Sequence, residues 1–225
     1  MTQPDAFLRR SPLQHVLTEA LAPFIPLADA AIADSRDTTN ARSRLALADL
    51  SPLPRLGFKG RGTIAAMKVR GIAVEATPNR AFRQEDGSLC LVLAPGEVIL
   101  LGNLEGAGER LAALEAGWQI EDEERTYPMP RRDSHAWFVV CGEKAPEMFA
   151  KICGIDLRPH KFADLAIAQT SVAKLTCIIT REDRAGTSFF HLLADSASAA
   201  YFFACLRDAA AEFDGRIIGI SALRG

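Results

Sequence analysis

The stretch that decides the fold is residues 172–224, which read VAKLTCIITREDRAGTSFFHLLADSASAAYFFACLRDAAAEFDGRIIGISALR. Two segments rich in β-branched and aromatic residues, 174–180 and 188–193, flank a polar turn at 182–186. A long amphipathic helix follows, and then a short strand is predicted over 216–221. This order predicts antiparallel strands with a helix packed on one face of the sheet.

The helix in this stretch has an apolar stripe at steps of three and four residues, which is the spacing of one helix face. The stripe consists of Phe202, Leu206, Ala209 and Phe213. Ser196 or Ser198 can cap the start of this helix, and Gly215 is expected to end it. The sequence therefore predicts that this helix buries one face against the sheet.

The composition is that of a globular protein. The chain has 225 residues, of which 48% are hydrophobic and 24% charged, so a sizeable core can form. A net charge of −2 gives no general attraction to nucleic acid. No apolar run approaches the ~18 residues that span a bilayer, and the first residues lack the order of a secretory signal. We therefore expect a cytoplasmic protein with no membrane and no nucleic-acid partner.

The cysteines favour the same compartment. They are widely spaced and odd in number, and most lie among apolar neighbours: Cys90, Cys141, Cys153, Cys177 and Cys205. This pattern predicts buried, reduced thiols. Zinc motifs such as C-x-x-C are absent from the sequence, and Cys153 and His160 stand seven apart across a loop, so no metal site is predicted.

Three regions follow one another along the chain. Residues 1–44 form an extension with a helix over 12–21 and a polar loop over 34–44; the helix carries Leu13, Leu17 and Leu21 on one face. Because these leucines are apolar, we expect them to pack against another surface, either the body of this chain or a partner. The body is expected to form one lobe over 45–130 and a second over 131–225. Frequent hairpin signals, such as 85–87, make the fold class α+β with antiparallel sheets and exclude a doubly wound parallel sheet.

One glycine motif has the spacing of a cofactor-binding loop. Residues 60–65, GRGTIA, match G-x-G-x-x-A at the start of a predicted helix. The strand before the motif is short and no βαβ unit follows, so a glycine-permitted turn into a helix is favoured over a dinucleotide site.

Two polar features remain open at this stage. His191 lies in the middle of a predicted strand, on the face opposite Phe190, and can face solvent, a partner or a cavity. The polar loop with Asp156, Arg158 and His160 can bind an anion or form a subunit contact.

Short segments spread over residues 45–224 resemble the gamma subunit of heterotetrameric sarcosine oxidase. They are 48–51 (ADLS), 58–60 (FKG), 78–81 (PNRA), 93–97 (LAPGE), 134–142 (SHAWFVVCG), 153–159 (CGIDLRP) and 169–174 (QTSVAK), together with the C-terminal stretch. The ending 219–224, GISALR, also resembles the folate-binding part of the glycine-cleavage T-protein.

The resemblance implies a T-protein-like fold of two lobes whose C-terminal part is a β-β-α-β, ferredoxin-like unit. It also implies an accessory subunit of a complex that demethylates sarcosine to glycine, with hydrogen peroxide and a one-carbon unit for tetrahydrofolate. The partners would be the alpha, beta and delta subunits. FAD, FMN and NAD would lie on the larger subunits, and no cofactor on this chain.

The chain departs from T-proteins where they act on folate. T-proteins carry a Gly-Tyr-Thr-Gly-Glu-x-Gly-Phe-Glu stretch, whereas residues 182–191 here read EDRAGTSFFH, with His191 in place of the closing acid. T-proteins also carry an acid after a glycine-rich hairpin turn, whereas 88–93 (SLCLVL) after Gly87 is uncharged. No other group replaces a carboxylate that shares a proton, so the chain is expected to have no catalytic residue.

The sequence is compatible with two other functions. A stand-alone tetrahydrofolate-binding aminomethyltransferase would use Arg181, His191 and Arg224 as folate contacts, and a small-molecule-binding regulator would act apart from sarcosine. The folate-dependent iron–sulfur assembly factor is disfavoured because its Lys-Gly-Cys-Tyr-x-Gly-Gln motif has no counterpart in this sequence.

Overall fold

The computed structural model describes residues 6–20, 23–27, 29–34, 41–105, 108–120 and 124–224. The chain divides into two compact units. The first unit comprises Met1–Pro52, His135–Asp164 and Ala168–Gly225. The second unit comprises Leu53–Ser134 and Leu165–Ile167.

A six-stranded sheet forms the centre of the first unit, in the order β10-β11-β12-β9-β3-β13. Its strands are β3 (Ala46–Asp49), β9 (His135–Cys141), β10 (Ile167–Val172), β11 (Leu175–Arg184), β12 (Thr187–Asp195) and β13 (Arg216–Ile217). Strands β11, β12, β9 and β3 pair antiparallel, and β13 pairs parallel with β3. The predicted α+β class with antiparallel sheets is confirmed.

Helices cover one face of this sheet. They are α5 (Ala145–Phe149) and α6 (Ala199–Ala211). Phe138 of β9 stacks against Phe202 and Phe203 of α6, with ring centroids 5.8 and 5.2 Å apart, and Phe149 of α5 meets Phe190 of β12 at 5.3 Å. The predicted helix stripe is therefore largely confirmed: Phe202, Leu206 and Ala209 are buried, whereas Phe213 beyond the helix end is half-buried.

The start of this helix and the segment that follows it differ from the prediction. Asp195 caps the 3₁₀ turn before α6, because its carboxylate accepts a hydrogen bond from the Ala197 N–H. Ser198 is at the N-cap position but makes no side-chain cap, and Ser196 lies in the 3₁₀ turn. The predicted strand at 216–221 is only the two-residue β13, because β3 is short and residues 220–224 turn into helix α7 (Ile220–Arg224).

The N-terminal region is part of the first unit. It contains α1 (Gln14–Ala20), the hairpin of β1 (Phe24–Leu27) and β2 (Ala30–Ala33), and the short helix α2 (Ala41–Arg44). Leu13 and Leu17 are 0% and 1% exposed, so these predicted contacts are satisfied within the chain itself. Leu21 and residues 35–40 of the predicted loop lie outside the described residues.

A five-stranded antiparallel sheet, in the order β5-β6-β7-β4-β8, forms the second unit. Its strands are β4 (Arg55–Gly60), β5 (Arg80–Arg83), β6 (Leu89–Ala94), β7 (Glu97–Leu101) and β8 (Thr126–Pro130), with helices α3 (Thr63–Val69) and α4 (Glu109–Ala116). Met67 of α3 and Leu111 of α4 join the strand residues in one buried cluster. The predicted hairpin at 85–87 joins β5 to β6.

The boundaries of these units differ from the predicted regions. The extension 1–44 and β3 of the predicted first lobe both belong to the first unit, since β3 pairs with β9 and β13. The second unit is therefore an insertion between two parts of the first. Among the described residues, no helix is long and apolar enough to cross a membrane.

Candidate functional site

The β11–β12 hairpin places a charged chain of contacts on one face of the first unit's sheet. Ala185 and Gly186, both with positive φ, form the two-residue turn, so Arg184 pairs with Thr187. This register puts His191 opposite Thr180 and one step diagonal from Glu182. The predicted turn at 182–186 includes Glu182, whereas the strand continues through Arg184.

Trp137, His191 and Glu182 are linked by hydrogen bonds across β9, β12 and β11. The indole Nε1 of Trp137 donates to Nδ1 of His191 at 3.1 Å, and His191 Nε2 lies 3.1 Å from Glu182 Oε2. Since an indole N–H only donates, Nδ1 carries a lone pair and the proton is on Nε2. In this geometry Nε2 of His191 donates its proton to the Glu182 carboxylate.

The Glu182 carboxylate is held in its ionised form. Burial alone would raise its pKa, but the hydrogen-bonding and Coulombic interactions with His191, followed by those with the neighbouring Arg184 guanidinium, lower the pKa from 4.5 to about 2. Arg184 Nε lies 2.8 Å from Glu182 Oε2. The side chains of Glu182 and His191 are each 3% exposed, whereas Arg184 is 30% exposed. The chain of contacts therefore runs from the core to an arginine at the surface.

Arg181 lies on the opposite face of the same sheet. It pairs with Phe190, and both side chains point to the face that α5 and α6 cover. Its guanidinium binds Asp183 through two hydrogen bonds of 2.9 and 2.6 Å, and Nη1 donates to the Phe162 carbonyl at 2.7 Å. The structure therefore places Arg181 and His191 on neighbouring strands, on different faces.

Arg224, the third predicted folate contact, is exposed at the end of α7. Two hydrogen bonds that connect α7 to other elements run from the Ser221 N–H to Asp34 at 3.0 Å and from Arg42 to the Leu223 carbonyl at 3.3 Å. The three predicted contacts thus lie on two sheet faces and a terminal helix, and whether they bind folate stays a prediction.

Sequence reasoning missed Trp137 and Glu182. The signal was present in the turn, because centring it on Ala185 and Gly186 fixes the strand register. That register brings Glu182 next to His191, and the alternation of β9 brings Trp137 to the same face. A lone histidine in a strand thus becomes the middle of a buried polar chain.

The glycine motif of residues 60–65 lies in the second unit and has the predicted structure of a turn. Strand β4 pairs antiparallel with β7 and β8, so no βαβ unit exists at this point. A side chain at Gly62 would lie 1.9 Å from the Glu124 carbonyl oxygen, which explains the glycine by close backbone approach. Thr63 is the first helical residue, and its hydroxyl donates to the Gly60 carbonyl at 2.8 Å.

A cleft of about 520 Å³ opens beside this turn. Glu97 lies at its edge and binds Lys59 Nζ at 3.0 Å and Arg131 Nη2 at 2.9 Å. Opposite charges therefore meet at this cleft.

The polar loop after α5 is internally paired. Arg158 donates to both carboxylate oxygens of Asp156 at 2.8 and 2.5 Å, and these hydrogen bonds lower the pKa of Asp156. Anion binding and subunit contact both stay open for this loop. Across the described residues, no three His, Cys, Asp or Glu side chains come together as a possible metal site.

Comparison with known proteins identifies the fold. No protein-family model and no curated protein sequence matches this chain. A chain of heterotetrameric sarcosine oxidase from Corynebacterium sp. U-96 superposes with a TM-score of 0.67 at 20% identity, over 92% of this chain and 96% of that chain. Glycine cleavage system aminomethyltransferase T from Bartonella henselae superposes with a TM-score of 0.69 at 16% identity. That match covers 96% of this chain but 60% of the aminomethyltransferase.

Both structures come from the groups of proteins that the sequence segments resemble. At these identities the similarity establishes a shared fold, and the resemblance is confirmed at that level. Activity and partners require a separate argument.

Proposed function

We propose that this chain is the gamma-type accessory subunit of a heterotetrameric sarcosine oxidase and carries no catalytic residue itself. The observation that carries the proposal is the extent of the two matches. The chain and the sarcosine oxidase chain cover each other at 92% and 96%, whereas two fifths of the aminomethyltransferase has no counterpart here.

The charged chain of contacts supports an accessory role. A general base works best when its pKa lies near the working pH. The pKa of Glu182 is about 2, so at neutral pH this carboxylate has little tendency to accept a proton. Its oxygen Oε2 contacts both His191 and Arg184, and these contacts stabilise the ionised carboxylate as a structural group.

The proposed complex supplies the remaining chemistry. The alpha, beta and delta subunits would be the partners, with FAD, FMN and NAD on the larger subunits. The complex would demethylate sarcosine oxidatively to glycine and pass the one-carbon unit to tetrahydrofolate. This chain would contribute to assembly and to the shape of the cavity around these reactions.

The test is co-expression of this chain with the flavin-containing subunits from the same genome. The expected result is one particle containing this chain in a 1:1 ratio to each partner, measured by size-exclusion chromatography with light scattering and by quantitative peptide counting. A control preparation omits this chain, and we expect it to lose assembly or sarcosine oxidation. Partners that assemble and oxidise sarcosine fully without this chain would contradict the proposal.

The similarity to aminomethyltransferase T supports one second candidate, a stand-alone tetrahydrofolate-binding protein. Titration calorimetry of the isolated chain with tetrahydrofolate separates the two. Binding with a Kd below about 100 μM, weakened by His191→Ala and Arg224→Ala, would favour the second candidate. Absence of binding to the isolated chain, with binding to the assembled complex, would favour the accessory subunit.

A further inference from the structure

The cleft beside the glycine motif of the second unit combines exposed backbone with a positively charged rim. We call it the glycine cleft, and its volume is about 520 Å³. It is lined by residues 59–61 at the end of β4 and residues 94–97 between β6 and β7. The Gly60 N–H donates to the Gly96 carbonyl at 2.9 Å. Because neither glycine carries a side chain, the backbone itself lines the cleft at this point.

The charges at the glycine cleft do not balance. Glu97 Oε2 lies 3.0 Å from Lys59 Nζ, and Glu97 Oε1 accepts a hydrogen bond from Arg131 Nη2 at 2.9 Å, so one carboxylate serves two cations. Arg61 lines the same cleft and is exposed, and it forms no ion pair or hydrogen bond in the part of the chain that the structure describes. Three cations and one carboxylate leave a local excess of positive charge on a chain whose formal net charge is −2.

The cations at this cleft differ in how firmly they are held. The side chain of Arg131 is 17% exposed, and its stem lies against Gly57, where a methyl group would be 2.8 Å from Arg131 Cγ. The side chain of Lys59 is 61% exposed. Glu97 therefore keeps a fixed cation, Arg131, when Lys59 binds another carboxylate, and Lys59 and Arg61 are both accessible to a second molecule.

The surface next to the cleft has the composition of a protein interface. Tyr127 of β8 pairs with Lys59 of β4 and is 49% exposed, and Met129 lies two residues further along the same strand. Tyrosine, methionine and arginine are enriched at interfaces. Strand β8 is an edge of its sheet, but Pro128 and Pro130 have no N–H to offer to an added strand. A partner at this surface therefore docks through side chains rather than by strand addition.

We propose that the glycine cleft and Tyr127 form a docking surface for an acidic segment of a partner subunit, whose carboxylates bind Arg61 and Lys59. This inference rests on the proposed function, in which the chain assembles with larger subunits. Pockets for small molecules bury most of their ligand, whereas the two cations here lie at the surface, where a protruding protein segment reaches them. Opposite charges across an interface speed association and select the partner.

The test measures binding of the full chain to the flavin-containing subunits by biolayer interferometry at about 50 mM and about 300 mM NaCl. Arg61→Glu should raise the Kd about tenfold at the lower salt concentration, because repulsion replaces attraction, and the difference should shrink at the higher one. Lys68→Glu is the matched control, since Lys68 is exposed in α3 of the same unit and lies outside the cleft. Its Kd should stay within about twofold of wild type.

Cross-linking identifies what occupies the cleft. Arg61→Lys keeps the positive charge and introduces an amine, which a carbodiimide couples to a carboxylate in contact with it. In the assembled complex we expect mass spectrometry to find a link from position 61 to an acidic residue of a partner subunit.

The possible failures are distinguishable. If Arg61→Glu binds the flavin-containing subunits as tightly as wild type, the docking surface is overturned and the proposed function stands. A link from position 61 to the acidic run 121–124 of this same chain would also overturn it, because the chain itself would then supply the carboxylate. If the wild-type chain binds none of the flavin-containing subunits, the proposed function fails and this inference fails with it.

Discussion

Glu182→Gln is the substitution that most directly tests the charged chain of contacts from Trp137 through His191 and Glu182 to Arg184. It keeps the size and the accepting oxygen of the side chain but removes the charge that Arg184 binds. The pKa of Glu182 falls from 4.5 to about 2 in the folded chain, and this difference corresponds to about 3 kcal/mol of stabilisation at neutral pH. We expect the substitution to lower the free energy of unfolding by about that amount near pH 7.

The pH dependence of this loss gives the sharper result. Because the folded-state pKa is lower than the unfolded-state pKa, the stabilisation is present above about pH 4.5 and disappears as the pH falls toward about 2. The difference in unfolding free energy between wild type and Glu182→Gln should therefore shrink from about 3 kcal/mol near pH 7 to about 1 kcal/mol near pH 3.

Urea unfolding followed by the fluorescence of Trp137 measures this difference. The chain has two tryptophans, so a Trp118→Phe background makes the signal report the first unit alone. Glu147→Gln is the matched control, since Glu147 is 55% exposed and pairs with Lys144 on the surface; we expect a few tenths of a kcal/mol at most. A wild-type advantage over Glu182→Gln that stays constant from pH 7 to pH 3 would refute the reasoning.

Three further substitutions test other parts of the structure by unfolding free energy. Trp137→Phe leaves the buried Nδ1 of His191 without its donor and should lower the unfolding free energy by about 1–3 kcal/mol beyond the loss from packing. Trp118→Phe is the control, because the Trp118 indole N–H has no hydrogen-bond partner within the described residues, and equal losses in the two variants would contradict the Trp137–His191 hydrogen bond. Leu17→Ala should lower the unfolding free energy by about 2–5 kcal/mol because Leu17 is 1% exposed, whereas Leu8→Ala should have no effect because Leu8 is 98% exposed. If Leu17→Ala also has no effect, Leu17 does not stabilise this chain and a contact with a partner is favoured instead. Gly62→Ala should cost more than about 2 kcal/mol, since its methyl group would collide with the Glu124 carbonyl, and a stability equal to wild type would show that the backbone yields there.

Local patterns predicted much of the fold. The stripe of α6, the hairpin at 85–87 and the alternating strands around His191 follow from spacing alone, and each is present. The pairing of β3 with β9 and β13 joins residues that lie about 90 and 170 positions apart in sequence, and no local pattern specifies such contacts. This is why the bounds of the two units differ from the predicted regions.

The candidate site also combines a residue that a local pattern predicts with contacts that only the folded sheet creates. The sequence predicts His191 in the middle of a strand, on the face opposite Phe190, where it can face solvent, a partner or a cavity. Its hydrogen-bond partners depend on the register of the β11–β12 hairpin, which the two-residue turn at Ala185 and Gly186 determines. The predicted turn, 182–186, is three residues longer and does not specify this register. Trp137 lies on a strand 54 residues away, so only the assembled sheet brings its indole to the imidazole.

The insertion of the second unit between two parts of the first determines the order in which the two sheets can form while the chain is being synthesised. Residues 53–134 supply all five strands of the second unit's sheet, so this sheet can close while the rest of the chain is still being made. The first unit's sheet cannot be completed until residue 217 has left the ribosome, because β13 is its last strand. Strand β3 can pair with β9 once residue 141 has emerged, but its other edge stays unpaired until β13 follows, and this edge is where a nascent chain would need protection from aggregation.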